Sequence, residues 1–321
     1  CGSGGMFVQS MQFVDEHKGN RLNVSVYGQE LTDATRRLAK MNLAIRGISA
    51  NLGAEAANTF LNDQHKDLKA DFSLENPPFN QKDWREANQL NDDPRWSGYP
   101  TPPTSNANYG WLLNTLSKLG QNGVGIVLLA NGALSASGDE YEIRKRMIEN
   151  DVVESIIIMP QNLFYTTNIS VTIWVLNKNK KARTEKRPTG DVTFRDRSNE
   201  ILFMDLRQMG HPYEKKYLEF TEEDRAVIVD RFKSWRLEGY QTAYENIPEF
   251  CYAAQKDEIV EKDYSLVPSR YIEFVQAGED EDYDKKMARL QGELKELLIQ
   301  EQQSRKDLLD MLKGLGYEID I

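Results

Sequence analysis

Asp71-Phe72-Ser73-Leu74-Glu75 followed by Asn76-Pro77-Pro78-Phe79 is the stretch on which the fold of this 321-residue chain turns. Residues 71–75 form an apolar-rich run that reads as a buried strand. Two successive prolines can neither continue a helix nor donate to a β-ladder, so the strand must stop at Asn76. The loop beyond it is stiff and offers a side-chain amide, a bare backbone carbonyl and an aromatic ring. In open α/β sheets, the end of a strand is where ligands bind.

Upstream, the sequence alternates between strand and helix. Cys1-Gly2-Ser3-Gly4-Gly5 leads into an amphipathic helix over residues 6–18. A strand is predicted over Leu22 to Tyr27, ending at Gly28-Gln29-Glu30, and a helix over residues 31–46 with Thr32 or Asp33 as its N-cap. Asn58 to Leu61 read as a short strand before a polar loop around Asn62-Asp63. Such alternation implies a mostly parallel sheet with right-handed crossovers.

Downstream, residues 80–108 break the rhythm with Asn, Asp, Pro and aromatics. A structureless segment of that length is usually functional or disordered, and its place after the proposed site favours a substrate-facing loop over a mobile insertion. Helices are then predicted over 109–119 and 139–149, and buried strands over Gly123 to Ala130, Val152 to Met159 and Ile169 to Leu176. No helix fits in the loop through Phe164-Tyr165-Thr166-Thr167, so the last two strands should form an antiparallel pair at one sheet edge. A strand ahead of Cys1 would make the sheet seven-stranded. The basic run 178–187 reads as a linker or hairpin turn, or as a phosphate contact. Glu200 to Asp205 suggest a strand and 221–235 a helix; the remainder to Pro268 reads as irregular, and Gly278 to Asp284 as an acidic hinge. Met287, Leu290, Leu294, Leu297, Leu308 and Met311 then mark a heptad seam interrupted by Glu301 and Ser304, a narrow stripe that calls for a partner helix, from a partner subunit or from its own domain.

Composition narrows the function. The net charge is −10, whereas a protein that grips DNA unaided usually shows a basic footprint. Work on DNA would therefore draw on another chain for grip and for reading the sequence. No apolar stretch is long enough to span a membrane and no signal-peptide pattern opens the chain. Two distant cysteines, Cys1 and Cys251, suit a reducing cytoplasm. A lipidated Cys1 is disfavoured because Met6-Phe7-Val8 turns apolar at once. His17, His65 and His211 show no metal-ligand spacing.

The chemistry suggested by the loop is methylation of an exocyclic amino group. The lone pair of adenine's amino nitrogen is delocalised into the ring. Two acceptors, the Asn76 amide oxygen and the Pro77 carbonyl, would localise it, with Pro78 stiffening the loop. Phe79 offers a stacking face for a base drawn out of the duplex. The glycines at 2, 4 and 5 permit close backbone approach to a ligand at a helix N-terminus, Glu30 can take two ribose hydroxyls, and Asp63 can accept from an adenine amino group.

On Cys1-Gly2-Ser3-Gly4-Gly5-Met6-Phe7, Tyr27-Gly28-Gln29-Glu30, Asn58-Thr59-Phe60-Leu61 to Asn76-Pro77-Pro78-Phe79-Asn80, Gly125 to Leu134, and Leu163-Phe164 with Asn168-Ile169, the chain resembles the modification (methyltransferase) subunit of type I restriction–modification systems, of the adenine-N6 DNA methyltransferase class. The resemblance covers about residues 1–178 and, more faintly, the tail. It implies an α/β, Rossmann-like S-adenosylmethionine-dependent methyltransferase sheet with an antiparallel edge strand and a C-terminal helical tail. The cofactor would be S-adenosyl-L-methionine, held by Cys1, Gly2, Ser3, Gly4, Gly5, Glu30, Asp63 and Asn76. Asn76, Pro77, Pro78 and Phe79 would be catalytic. The partners implied are duplex DNA, a DNA-specificity subunit that reads the site and docks on the C-terminal helix, and a restriction (translocase/nuclease) subunit. The expected divisions are a catalytic domain over 1–178, a small mixed extension over 179–265 and a partner-binding tail over 266–321.

The sequence departs from the family in one respect. There the glycine loop is preceded by Asp-Pro and a helical region carrying a further cofactor motif, and neither stands here. The expectation is a chain lacking its N-terminal part, which by itself binds S-adenosylmethionine weakly or not at all. Two other readings stay open: a protein glutamine methyltransferase, whose loop typically ends in Tyr, and a non-catalytic scaffold fragment.

Overall fold

The computed structural model describes residues 1–164, 168–187, 190–213, 217–274 and 283–314. Two compact units emerge, Cys1–Glu273 and Phe274–Ile321. In chain order the first unit contains α1 (Gly5–Glu16), β1 (Val26–Tyr27), α2 (Asp33–Ile45), β2 (Ala50–Asn51), β3 (Ala70–Glu75), α3 (Asn108–Lys118), β4 (Leu119–Ala130), α4 (Asp139–Glu149), β5 (Val153–Ile158) and β6 (Val171–Asn177). Beyond these lie β7 (Arg183–Glu185), β8 (Val192–Phe194), β9 (Glu200–Asp205), β10 (His211–Tyr213), β11 (Tyr217–Glu219), α5 (Glu222–Arg236), β12 (Cys251–Gln255) and α6 (Lys256–Glu261). The second unit holds α7 (Tyr283–Gly314).

The principal sheet has six strands in the order β12-β9-β5-β6-β4-β3. β3 runs parallel to β4 and β5 parallel to β9, while β6 is antiparallel to both β4 and β5. Four strands therefore share one direction and end on one side of the sheet, where the Asn76 loop begins. β1 and β2 pair in parallel as a separate two-stranded sheet. Every residue of β5 and of β9 is buried, because helices cover both faces. On one face α3 and α4 contribute Leu112, Leu113 and Ile143 to a core with Ile156 and Trp174. On the other, Trp235 of α5 joins Val175, Leu202 and Met204. A fully buried aliphatic side chain of this kind stabilises by about 1.5–3 kcal/mol. A capping box starts α5: Thr221 N–H donates to Asp224 Oδ2 at 2.9 Å and Asp224 N–H to Thr221 Oγ1 at 3.1 Å.

Five sequence readings need correction. The strand at 71–75 is real but lies at the sheet edge, and Phe72 and Leu74 are 72% and 44% exposed rather than buried. The strand predicted over 22–27 shrinks to Val26–Tyr27, because Asn20 Oδ1 accepts from Leu22 N–H and starts a 3-10 turn at Arg21–Asn23. No strand forms over 58–61. There the Asn58 side chain accepts from Phe60 N–H at 2.8 Å and Leu61 N–H at 3.3 Å, and a turn replaces the ladder. The antiparallel pair β5–β6 forms as expected, but β6 is interior; the antiparallel edge strand is β12. β12 and α6 also occupy a region read as irregular.

The basic run serves structure. Lys180 is buried, its Nζ donating to Val153 O at 3.0 Å and Glu200 O at 2.7 Å and pairing with Asp151 at 2.5 Å. Arg183 and Arg187 both pair with Glu185 beside the β7–β8 hairpin. The neighbouring Glu154 is enclosed by Asn177 and Arg197 at 3.0 and 3.1 Å.

Residues 80–108 are a packed loop. Trp84 and Trp96 are buried against Phe60, with ring centroids of Phe60 and Trp84 4.3 Å apart. Arg95 donates to Thr59 O at 2.9 Å and Phe60 O at 2.6 Å while pairing with Asp93. In the second unit the seam residues Met287, Leu290, Leu294, Leu297, Leu308 and Met311 all lie on α7 and are 38–63% exposed. Tyr165-Thr166-Thr167 and the acidic stretch 278–282 lie outside the described residues. Among those described, no helix is long and apolar enough to cross a membrane.

Candidate active site at the strand ends

The carboxyl end of β1 is the hub of the cofactor side. Glu30 Oε2 accepts from the Gly2 N–H at 2.8 Å and lies 3.2 Å from the Cys1 amino group, and Glu30 Oε1 accepts from Thr32 N–H at 3.3 Å. Burial works against this carboxylate, but the Thr32 and Gly2 amides outweigh it and its pKa falls below the usual Glu range. One carboxylate thus ties the glycine loop to the end of β1. Gly4 turns that loop into α1 at φ 79°, against Leu43 of α2. At Gly28 a Cβ would fall 2.7 Å from the Phe7 ring, so the missing side chain lets α1 lie close against β1.

Gln29, beside Glu30, organises the next strand-end segment. Its Nε2 donates to Ala57 O at 3.0 Å and Asn62 O at 2.8 Å, and its Oε1 accepts from Gln64 N–H at 2.9 Å. Arg36 holds the preceding turn through Leu52 O at 3.2 Å and Ala54 O at 2.8 Å. This segment carries Asp63, whose carboxylate pairs with Lys118 and accepts from His65 N–H at 2.9 Å.

Asn76 to Phe79 follow directly on the carboxyl end of β3. Asn76 is exposed and makes no hydrogen bond to the described residues, so its amide faces outward. Pro77 is buried and Pro78 exposed. The half-buried Phe79 ring packs into the cluster that includes Leu163 and Phe164. Glu75, immediately before Asn76, has its pKa raised by burial, against the opposing influence of Thr115, Ser73 and Lys118. Neighbouring strand ends are joined as well: Thr172 Oγ1 donates to Asn131 Oδ1 at 2.6 Å, and Ser170 Oγ to Met159 O at 2.6 Å.

Cys1, Gly2 and Glu30 are thus in direct contact and Asp63 is held by Lys118, while among the described residues no hydrogen bond joins Asn76 to either group. Sequence reasoning did not single out Gln29, Lys118 or the asparagines at 80, 106 and 108. Asn106-Ala107-Asn108 ahead of a helix is a cap-like signal that could have drawn attention to them. Among the described residues no cluster of His, Cys, Asp and Glu could hold a metal ion.

A family model described as N-6 DNA Methylase matches residues 1–280. The methylase subunit of the type I restriction enzyme HindI from Haemophilus influenzae is 40% identical over 319 residues, 99% of this chain and 68% of that protein. The MjaIX methylase subunit of Methanocaldococcus jannaschii is 33% identical over 323 residues, 99% of this chain and 55% of its relative. The crystal structure of a type I restriction–modification methyltransferase subunit from Streptococcus thermophilus superposes with a TM-score of 0.70 at 28% identity, covering 85% of this chain and 53% of that one. The M protein of EcoKI shares the fold, with a TM-score of 0.56 at 18% identity over 91% of this chain and 60% of its own. The chain spans between about half and two thirds of the length of these relatives.

Proposed function

The chain belongs to the N-6 DNA methylase family, among the methylase subunits of type I restriction enzymes, and from that premise we propose that it methylates the N6 amino group of adenine in duplex DNA with S-adenosyl-L-methionine. The observation that supports this reading is Glu30 tying the glycine loop to the end of β1, in a chain whose Asn76-Pro77-Pro78-Phe79 turn leaves the carboxyl end of β3.

The chain's residues suit such a cofactor. A Cβ built at Gly2 or Gly5 meets nothing within 4 Å, so the glycine loop fronts open space at the start of α1. Cys1 to Gly5 hold the cofactor's amino-acid end by backbone groups, and Glu30 takes the ribose hydroxyls. Asp63 takes the cofactor's adenine amino group through lone pairs that Lys118 and His65 leave open, since a carboxylate offers about four acceptor sites. S-adenosylmethionine supplies an electrophilic methyl group on a sulfonium.

The Asn76 side-chain oxygen and the Pro77 carbonyl accept hydrogen bonds from the target amino group. Their acceptance concentrates the nitrogen lone pair toward the incoming methyl, and the rigid Pro77-Pro78 pair keeps both acceptors preorganised. Phe79 stacks on the flipped base. Residues 1–178 carry this chemistry, 179–265 extend the fold, and 266–321 dock a DNA-specificity subunit. A restriction subunit completes the assembly, which works in the cytoplasm on a site read by the specificity subunit. That division of labour accords with a net charge of −10.

Transfer of labelled methyl into duplex DNA by the full-length protein with its specificity subunit tests the reading. Asn76→Ala is expected to lower kcat by at least about 100-fold, as loss of a preorganised polar group does, with assembly intact. Wild-type rates in that variant would defeat the mechanism.

A further inference from the structure

A clasp of two asparagines closes the Pro-Pro-Phe turn on its C-terminal side. Asn80 sits in the left-handed region at φ 52°. Its N–H donates to Asn108 Oδ1 at 3.1 Å, and Asn108 Nδ2 donates back to Asn80 Oδ1 at 2.9 Å. Asn108 thus supplies Asn80 with one acceptor and one donor. Asn106 adds a longer contact, Nδ2 to Asn80 Oδ1 at 3.4 Å, and its Oδ1 accepts from Asn108 N–H at 3.0 Å. One residue on, Ala107 N–H donates to Gln81 O at 2.9 Å and closes the base of the 80–108 loop.

Asn108 is only 1% exposed and opens α3, which is itself rooted in the core. The adjacent Tyr109 is fully buried, and its hydroxyl donates to Ala133 O at 2.6 Å just beyond β4. The exit of the Asn76–Phe79 loop is thereby fixed to the same rigid body as its entrance on β3. Glycine would adopt φ 52° at no steric cost. Asparagine at position 80 supplies what glycine cannot, an amide that reaches Asn108.

We infer that Asn80 and Asn108 are positioning residues for methyl transfer. Through the clasp they hold the angle at which Asn76 and Pro77 present their acceptors. The inference rests on the reading of Asn76 as the acceptor of the target amino group. Misplacement of reacting groups by about 1 Å can cost roughly 100-fold in rate, so the clasp acts on kcat rather than on binding.

Asn80→Gly, Asn108→Ala and Asn76→Ala are compared in the full-length protein with its specificity subunit, by steady-state transfer of labelled methyl from S-adenosylmethionine to duplex DNA. Asn80→Gly allows the same backbone conformation and removes the side-chain half of the clasp while leaving the Asn80 N–H to Asn108 Oδ1 bond, so it decides the matter even where Asn108→Ala fails to fold. The expected result is a fall in kcat of about 10–100-fold in Asn80→Gly and Asn108→Ala, with KM for cofactor and DNA within about threefold of wild type. Asn108→Asp, which keeps the acceptor but not the donor, should fall between wild type and Asn108→Ala. Wild-type kcat in Asn80→Gly, or a loss confined to KM, overturns the inference. If Asn76→Ala is inactive while both clasp variants turn over normally, only this inference fails. If Asn76→Ala is itself fully active, the functional reading beneath it fails.

Discussion

Glu75 stands immediately before Asn76. Burial raises its pKa above the ordinary 4.5, so the folded protein favours the neutral carboxyl. A group shifted in this direction contributes stability that is fully present below its unfolded pKa and is lost as pH rises through the folded value. Glu75→Gln fixes the neutral form. Relative to wild type, the variant should therefore gain thermal stability as pH rises above the ordinary Glu range. Melting curves at several pH values check this; a difference that stays flat across the range rules it out. The same scale shows why sequence reading overreached at two strands. Asn20 and Asn58 each turn a side-chain oxygen back onto a nearby N–H, and that local bond competes with the ladder a β-rich stretch would otherwise join. Asn76, the proposed acceptor, was legible because two prolines punctuate the loop that follows it. The clasp was not, because Asn80 and Asn108 lie 28 residues apart with no periodic signal to link them.

The 80–108 loop shows how an element without regular structure can be held in place. Arg95 supplies its inner brace: hydrogen bonds to Thr59 O and Phe60 O, a pair with Asp93, and a guanidinium 5.1 Å from the Trp96 ring centroid. Arg95→Ala leaves both carbonyls and the Asp93 carboxylate short of a donor. Hydrogen bonds to charged groups are worth about 1.5–3 kcal/mol each, so a loss of about 2–4 kcal/mol is expected from the denaturant midpoint. Limited proteolysis should then cut first within 80–108. A midpoint within error of wild type would show that the brace carries little. β3 makes a related point. Its residues were read correctly as a strand, yet its place at the edge of the sheet, with Phe72 exposed, depends on which strands pair with it and not on its own composition.

In the molecule as a whole, the net charge of −10 and the exposed apolar stripe of α7 accord with the proposed assembly with other chains. Leu290→Asp combined with Leu294→Asp adds charge on exposed positions of α7, so thermal unfolding of the Cys1–Glu273 unit should not change. The same double variant should abolish co-purification with the specificity subunit, because a coiled-coil seam tolerates no charge pair at adjacent core positions. Retained co-purification would refute the docking role of the tail. The sequence by itself determined the order along the chain of the candidate site residues: a glycine loop, Glu30, Asp63 and Asn76-Pro77-Pro78-Phe79. It also determined α4, α5, β5 and β9, where hydrophobic runs and caps lie within a single element. The tertiary structure alone decided that β6 is interior and that β12 closes the edge. It alone decided that the basic run buries Lys180, that Asp63 meets Lys118, and that Asn108 holds Asn80. Those outcomes depend on pairings between residues far apart in sequence, whose energies exist only once the sheet has brought them together.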